Sequence, residues 1–402
     1  MISVNDLMPD SKGKRHAVIL SGGGASGAYE VGVLKGLFAG ESPATDYEPL
    51  LPEVFAGTSI GAYNAALLVS EWANRGSAAI DYLERIWTDL LPRDDATGHN
   101  FIARYRADPF EYLDPTFFIR RPLEDSRQAI NDFACLAGDF FRRGLVFLQS
   151  SDDIETRVLR LFDLSVLLSN DPESRLIHET INFKHIHQSD AALRIATTNW
   201  STGELRVFAN DDLDESRGPN AILASTAIPG IFPQVRIDDD YYADGGVVMN
   251  TPLNLGIDAG ADVLHVVYLD PEVKAIPLLP VRNTIDTFSR FFVIQFAATV
   301  NRDIQVARQI NEGLETIEKV AQGQSVPAHN VRAFIVTAER LSRLDDFSKY
   351  RKITIHRYQP SDTLMGILGL LDFSRNKTSA LIAEGLTEAI THNCENNNCV
   401  LA

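Results

Sequence analysis

Ser59 stands in Gly57-Thr58-Ser59-Ile60-Gly61, a G-x-S-x-G pattern in which a serine on a tight strand-to-helix turn presents its hydroxyl beyond the backbone. Such a hydroxyl can attack a carbonyl carbon if one group takes its proton and others receive the negative charge of the tetrahedral intermediate. Two further segments carry the required chemistry. The run Gly22-Gly23-Gly24-Ala25-Ser26-Gly27 is a loop whose N–H groups can converge on an anion, and Asp244-Gly245-Gly246 offers a carboxylate as base. In this reading Ser59 attacks and Asp244 takes its proton directly. The backbone at Gly22, Gly23, Gly24 and Ala25 forms the oxyanion hole, while Gly57 and Gly61 let the chain bend around a strained serine. The chemistry is that of a serine hydrolase.

Each segment has a competing reading. Gly22 to Gly27 formally matches G-x-G-x-x-G, a nucleotide phosphate cradle, but that leaves Ser59 and Asp244 without roles, and no G-x-x-x-x-G-K-[ST] pattern is present. Asp244-Gly245-Gly246 also reads as a hairpin turn. A conventional triad would draw its histidine from His265, His329, His356 or His392. His265 sits in the apolar run Val263 to Leu269, where a satisfied core histidine is the better reading, and none of the four has a convincing local frame. His178, His185 and His187 gather in one neighbourhood, and His185-x-His187 could put two rings on one strand face. No cysteine or H-E-x-x-H pattern lies near them, so no metal and no cofactor is expected.

In its three ordered motifs the chain resembles the patatin-like phospholipase family. The family's oxyanion loop corresponds to Gly22-Gly23-Gly24-x-x-Gly27, its elbow to Gly57 through Gly61 and its aspartate motif to Asp244-Gly245-Gly246, with Ala224 to Pro233 similar to the usual approach to that aspartate. The resemblance spans roughly 15–270 and is looser near 373–390. It implies a three-layer αβα fold with a central, mainly parallel sheet and helical insertions. It also implies a Ser59–Asp244 dyad and hydrolysis of phospholipids or lysophospholipids through an acyl-serine. Other esters or thioesters are alternatives, as is a catalytically weak lipid-binding or interaction protein. Ser26 departs from the pattern, since many members carry Arg or Lys there, and this leaves the headgroup preference open.

These groups need strands and helices to position them. Ala17 to Leu20 and Glu53 to Gly57 read as short buried strands, Tyr29 to Phe38 and Ile60 to Val69 as the helices that follow them. Leu193 to Asn199 and Glu204 to Ala209 read as strands joined by a turn; Ala261 to Leu269, Val331 to Val336 and Ile353 to Tyr358 are later strands. Asn283 to Val320 is largely helical, and Ser374 to Ile390 is a closing helix with Ser374 as N-cap. The expected organisation is an N-terminal tail at 1–14, a catalytic region at 15–270 with a helical cap around 97–180, completion of the α/β body at 271–392 and a polar tail at 393–402. The aromatic stretch Phe101 to Phe118 could line an acyl tunnel or form that cap, or be a packed aromatic cluster beneath surface arginines.

Composition sets the outer bounds. In 402 residues, 54 acidic groups against 37 Lys and Arg give a formal charge of −17, which argues against nucleic acid and against charge-driven adhesion to anionic membranes. Transient membrane contact through apolar loops remains open, as does an activating protein. Three cysteines do not build a disulfide scaffold, although Cys394 and Cys399 could pair. The first residues lack a long apolar segment, so the expected location is cytoplasmic or peripheral to a membrane, with secretion lacking a cleavable signal left open. Cys399-Val400-Leu401-Ala402 formally fits a prenylation box, without the usual basic residues before it.

Overall fold

The structure is a computed structural model, described here for residues 13–91, 171–269, 304–320, 322, 351–360 and 373–402. The expected cap, with its aromatic stretch, lies mostly outside these residues. So do His329, the strand at Val331 to Val336 and the start of the helix expected from Asn283.

Eight strands form one sheet: β1 His16–Leu20, β2 Val54–Thr58, β3 Ala192–Asn199, β4 Leu205–Ala209, β5 Val235–Ile237, β6 Asp240–Asp244, β7 Val263–Val267 and β8 Thr354–Tyr358. The order is β5-β6-β3-β2-β1-β7-β8, with β4 also paired to β3. Strands β3, β2, β1, β7 and β8 run parallel, while β4 and β6 join β3 antiparallel and β5 closes a hairpin on β6. The parallel strands have no water-facing side, and β1 and β2 are accordingly apolar without alternation.

Strand alternation then sorts side chains into two cores. Val18 and Leu20 of β1 face one layer, made by α1 (Gly27–Phe38), α2 (Ile60–Arg75), α3 (Ala79–Arg85) and a later helix at Gly218–Ser225; Ala17 and Ile19 face the other. That second layer includes Leu253 and Leu255 of the helix Leu253–Asp258, and Ile304 and Ala307 of the helix at 304–320. The result is the expected three-layer α/β sandwich.

In chain order the further α-helices among the described residues are α4 (Asp171–Thr180), α5 (Phe183–His187), α6 (Gly218–Ser225), α7 (Gly246–Met249), α8 (Leu253–Asp258), α9 (304–320) and α10 (Arg375–Ile390). Helices α1 and α10 meet backbone to backbone. A Cβ on Gly32 would strike the Ile382 carbonyl, and one on Gly385 the Tyr29 carbonyl. Ser374 holds the N-cap position of α10 in extended geometry, but its side chain makes no capping bond.

Two local expectations are corrected. Asp244-Gly245-Gly246 is not a hairpin turn: that turn lies at Asp238 and Asp239, where Asp238 adopts φ 55°, and Gly245 instead opens α7. The segment of His185 and His187 is helix α5, not a strand. Asn182 caps it by accepting from the N–H groups of Lys184 and His185. Its rings diverge, His185 Nδ1 to the Ser70 carbonyl at 2.9 Å and His187 Nδ1 to the Asn210 carbonyl at 3.4 Å.

Candidate active site

Parallel strands end at the same edge of a sheet, and loops leaving that edge converge there. Strand β1 delivers Ser21 to Gly27, β2 delivers Ser59, and α1 and α2 start directly behind them. Gly57 and Gly61 act by approach. A Cβ at Gly57 would enter the Gly61 carbonyl, and one at Gly61 would lie 2.6 Å from the Leu20 carbonyl oxygen. Ser59 itself adopts φ 56° and ψ −126°, a strained backbone for a side chain bearing Cβ. Its N–H donates to Ser225 Oγ at 2.9 Å, and Ser225 Oγ donates to the Ala196 carbonyl at 2.7 Å, so the elbow is tied to β3.

Asp244 arrives by pairing. Strand β2 runs beside β3 until Thr58 faces Ala196, while β4 occupies the other edge of β3 as far as Thr198. From Thr197 onward β6 takes the edge that β2 has left, and Thr197 faces Asp244. The carboxylate therefore ends one strand in the lane where the serine ends another. Its Oδ1 accepts from the Gly246 N–H at 2.7 Å, Thr198 Oγ1 donates to its carbonyl at 2.9 Å, and the Asp244 N–H donates to the Ala227 carbonyl at 3.0 Å. Asp244 and Ser59 are each 5% exposed. Burial pushes the Asp244 carboxyl up to about 7, against the lowering effect of the Gly246 N–H and of a hydrogen bond with the Ser59 side chain.

The glycine loop lies against this pair. Gly22 is packed on the serine, since a Cβ there would come within 3.1 Å of Ser59 Cβ and would collide with Asn250 Oδ1. Its N–H donates to the Asn250 carbonyl at 3.0 Å, and Asn250 Nδ2 donates to the Gly22 carbonyl at 3.3 Å. This corrects the expectation for Gly22, whose donor is consumed in anchoring the loop. Gly23 and Gly24 are half-buried, and their N–H groups meet no acceptor among the described residues. Ala25 is fully buried in the short 3₁₀ turn Gly24–Ser26, and Ser26 is buried beside it.

Other residues at the site were not singled out by sequence. Ser225, Asn250 and Thr58, whose Oγ1 donates to the Met249 carbonyl at 2.9 Å, hold the three motifs together. Their types are common, and their partners are far away in the chain. A weak signal existed for Ser225, inside the stretch leading to Asp244. Glu173 on α4 is a second carboxyl near the site: burial pushes it up to about 7, its hydrogen bond with Thr226 lowers it, and the Asp244 charge raises it.

His265 is fully buried and satisfied, with Nε2 3.3 Å from His16 Nδ1 and Nδ1 3.2 Å from Tyr358 Oη, as a core histidine should be. Among the described residues, the partners of His265, His356 and His392 are one another, His16, Tyr358, Asn397 and the tail cysteines, not Ser59 or Asp244. Among the described residues no helix is long and apolar enough to cross a membrane.

The family model described as patatin-like phospholipase matches residues 18–257, which include all three motifs. Among solved structures the chain is similar to VipD from Legionella pneumophila, at 17% identity and a TM-score of 0.33, over 96% of this chain and 71% of that one.

Proposed function

Because the chain belongs to the patatin-like phospholipase family, whose chemistry is lipid acyl hydrolysis, we propose that it cleaves ester bonds of phospholipids or lysophospholipids through an acyl-Ser59 intermediate, with Asp244 as the side-chain base. The observation that carries this reading is the handover of one sheet lane from β2 to β6, which brings the ends of the two strands bearing Ser59 and Asp244 together along β3.

Ser59 Oγ attacks the acyl carbonyl as its proton passes to Asp244. The oxyanion faces the N–H groups of Gly23 and Gly24, close to the positive end of α2. Collapse of the intermediate expels the alcohol of the lipid, which takes the proton from Asp244. Water then attacks the acyl-serine, gives its proton to Asp244, and a fatty acid leaves as that proton returns to Ser59 Oγ. A carboxyl raised by burial to about 7 is a stronger base than one in water and remains ionised in a good fraction of molecules near neutrality. Val247 and Val248, just after Asp244, are exposed apolar side chains suited to contact with an acyl chain.

The test offers defined phospholipids, lysophospholipids, acylglycerols and acyl-thioesters to the wild type and to Ser59→Ala and Asp244→Asn. Fatty acid release that both substitutions remove is expected, together with a covalent fluorophosphonate adduct on Ser59. Turnover unaffected by either substitution would overturn the dyad, and lipid binding with no turnover of any acyl substrate would reduce the protein to a binding module.

A further inference from the structure

Away from the dyad, at the opposite edge of the sheet, the chain after α10 folds back onto β8. Val400 exchanges backbone hydrogen bonds with Ile355, N–H to carbonyl at 3.0 Å and 2.7 Å, and Asn397 Nδ2 donates to the Arg357 carbonyl at 2.9 Å. Residues 393–399 form a tight loop. Asn393 Oδ1 accepts from the N–H groups of Glu395 and Asn396, and the Cys399 N–H donates to the Cys394 carbonyl at 3.0 Å.

The fold-back assembles two thiols and two imidazoles from distant parts of the chain. His356 comes from β8, His392 from the end of α10, and Cys394 and Cys399 from the loop; one ligand atom from each lies within 4.8 Å of all the others. Cys394 Sγ is 3.5 Å from His356 Nδ1 and 3.6 Å from His392 Nε2, and Cys399 Sγ is 3.5 Å from His392 Nε2. Zinc–sulfur bonds of about 2.3 Å and zinc–nitrogen bonds of about 2.0 Å at the tetrahedral angle give a sulfur–nitrogen edge of about 3.5 Å. The three separations therefore match three edges of one coordination tetrahedron. Both histidines are buried and both cysteines half-buried, with His265 stacked behind His356 at 5.1 Å and the Arg357 N–H donating to Cys399 Sγ at 3.4 Å. A backbone N–H aimed at a cysteine sulfur is the kind of outer contact that steadies a metal thiolate.

We propose that His356, His392, Cys394 and Cys399 bind one structural Zn²⁺ that clips the segment after α10 to β8. A Cys₂His₂ set suits zinc by ligand softness and geometry, and its four protein ligands close the coordination sphere, as in a structural site. On binding, each thiol releases its proton to solvent; two thiolates, two neutral imidazoles and the dication then sum to zero charge. No metal was expected from the sequence because the histidines near His185 have no cysteine or H-E-x-x-H pattern beside them. The tail has two cysteines and one histidine in C-x-x-x-x-C order, and the fourth ligand lies 36 positions before His392, visible only once β8 receives the tail. Zinc binding also competes with the other chemistry open to these thiols, a Cys394–Cys399 disulfide.

The experiment uses the full chain, purified under reducing conditions and equilibrated with Zn²⁺, then freed of unbound metal. One zinc per chain is expected by elemental mass spectrometry. Exchange for Co²⁺ should give the visible bands of a tetrahedral site with thiolate-to-metal charge transfer. Alkylation mapped by mass spectrometry should find Cys394 and Cys399 protected with zinc and reactive after chelation. Cys394→Ser, Cys399→Ser and His392→Asn should each lose the stoichiometric zinc, while Cys135→Ser keeps it. Because a ligand variant could misfold, the wild-type cobalt spectrum and alkylation pattern decide independently. Folded, reduced wild type that takes up no zinc, alkylates equally in its presence, or retains it after Cys394 and Cys399 are both replaced overturns the proposal.

Discussion

At Ser59 a backbone of φ 56° is maintained because everything around it is fixed: Gly61 lies under the Leu20 carbonyl, and the Ser59 N–H is bound to Ser225. On the proposed mechanism, Ser59→Ala should abolish the fluorophosphonate adduct and lower kcat by at least about 10³-fold, since loss of the nucleophile leaves only binding and oxyanion stabilisation. Ser225→Ala leaves the serine in place but releases its N–H; a lost buried hydrogen bond of roughly 1–3 kcal/mol should appear mainly in kcat, with KM little changed. Asp244 makes the pH dependence specific. A base titrating at about 7 predicts kcat/KM rising roughly tenfold per pH unit below neutrality and levelling off above it. The same carboxyl is raised from its ordinary 3.8, so the folded state holds this proton more tightly than the unfolded chain. Its stabilising contribution is complete below about pH 4 and is lost as pH climbs through about 7, roughly 4 kcal/mol over that window. The Tm of Asp244→Asn relative to wild type should therefore become more favourable between pH 4 and pH 8, a trend calorimetry can follow. As candidates, Ser59 and Asp244 were legible because glycine patterns mark them. Ser225 and Asn250 were not, since a serine or asparagine signals nothing until its partner is known.

The elements were legible wherever local pattern and burial agree. The strands β1, β2, β3, β4, β7 and β8 and the helices α1 and α10 lie where apolar runs and helical spacing put them, within a residue or two of their ends, whereas α2 starts at Ile60 as expected but runs past Val69 to Arg75. Short elements misled: α5 is a single turn set by the Asn182 cap, and α7 begins at a glycine pair that reads equally well as a turn. The crossing of α1 on α10 was not visible either, because glycine in a helix normally lowers the expectation of one. Here Gly32 and Gly385 permit backbone contact, and the atoms a Cβ would meet are main chain, which cannot swing aside. Gly32→Ala and Gly385→Ala should each destabilise by about 1–3 kcal/mol despite alanine's better helix propensity, with the loss read as a lower denaturant midpoint at constant slope.

Across the whole molecule, the parallel core and its layers follow from alternating strands and helices, whereas the assembly of the site depends on non-local pairing. No local property of Asp240 to Asp244 announces that it joins β3 antiparallel, just past the end of β2; that lane is set by where β2 stops and by β4 holding the other edge. The surface carries its own expectation. With a formal charge of −17, approach to an anionic bilayer is opposed at long range. Hydrolysis of anionic vesicles should rise as salt is increased from low ionic strength, while that of zwitterionic vesicles changes little, and a fatty acid release assay across a salt series distinguishes the two.

The shared lane also says how this scaffold can diversify. Because the hydroxyl and the carboxylate cap two strands laid end to end along β3, their spacing is inherited from ladder geometry and not from the long stretches of chain that separate them. Those stretches can lengthen, shorten or be exchanged for others that suit a different lipid without detuning the reaction centre. One residue inserted within β2 would instead carry the serine about 3.3 Å along the strand and turn it to the opposite face.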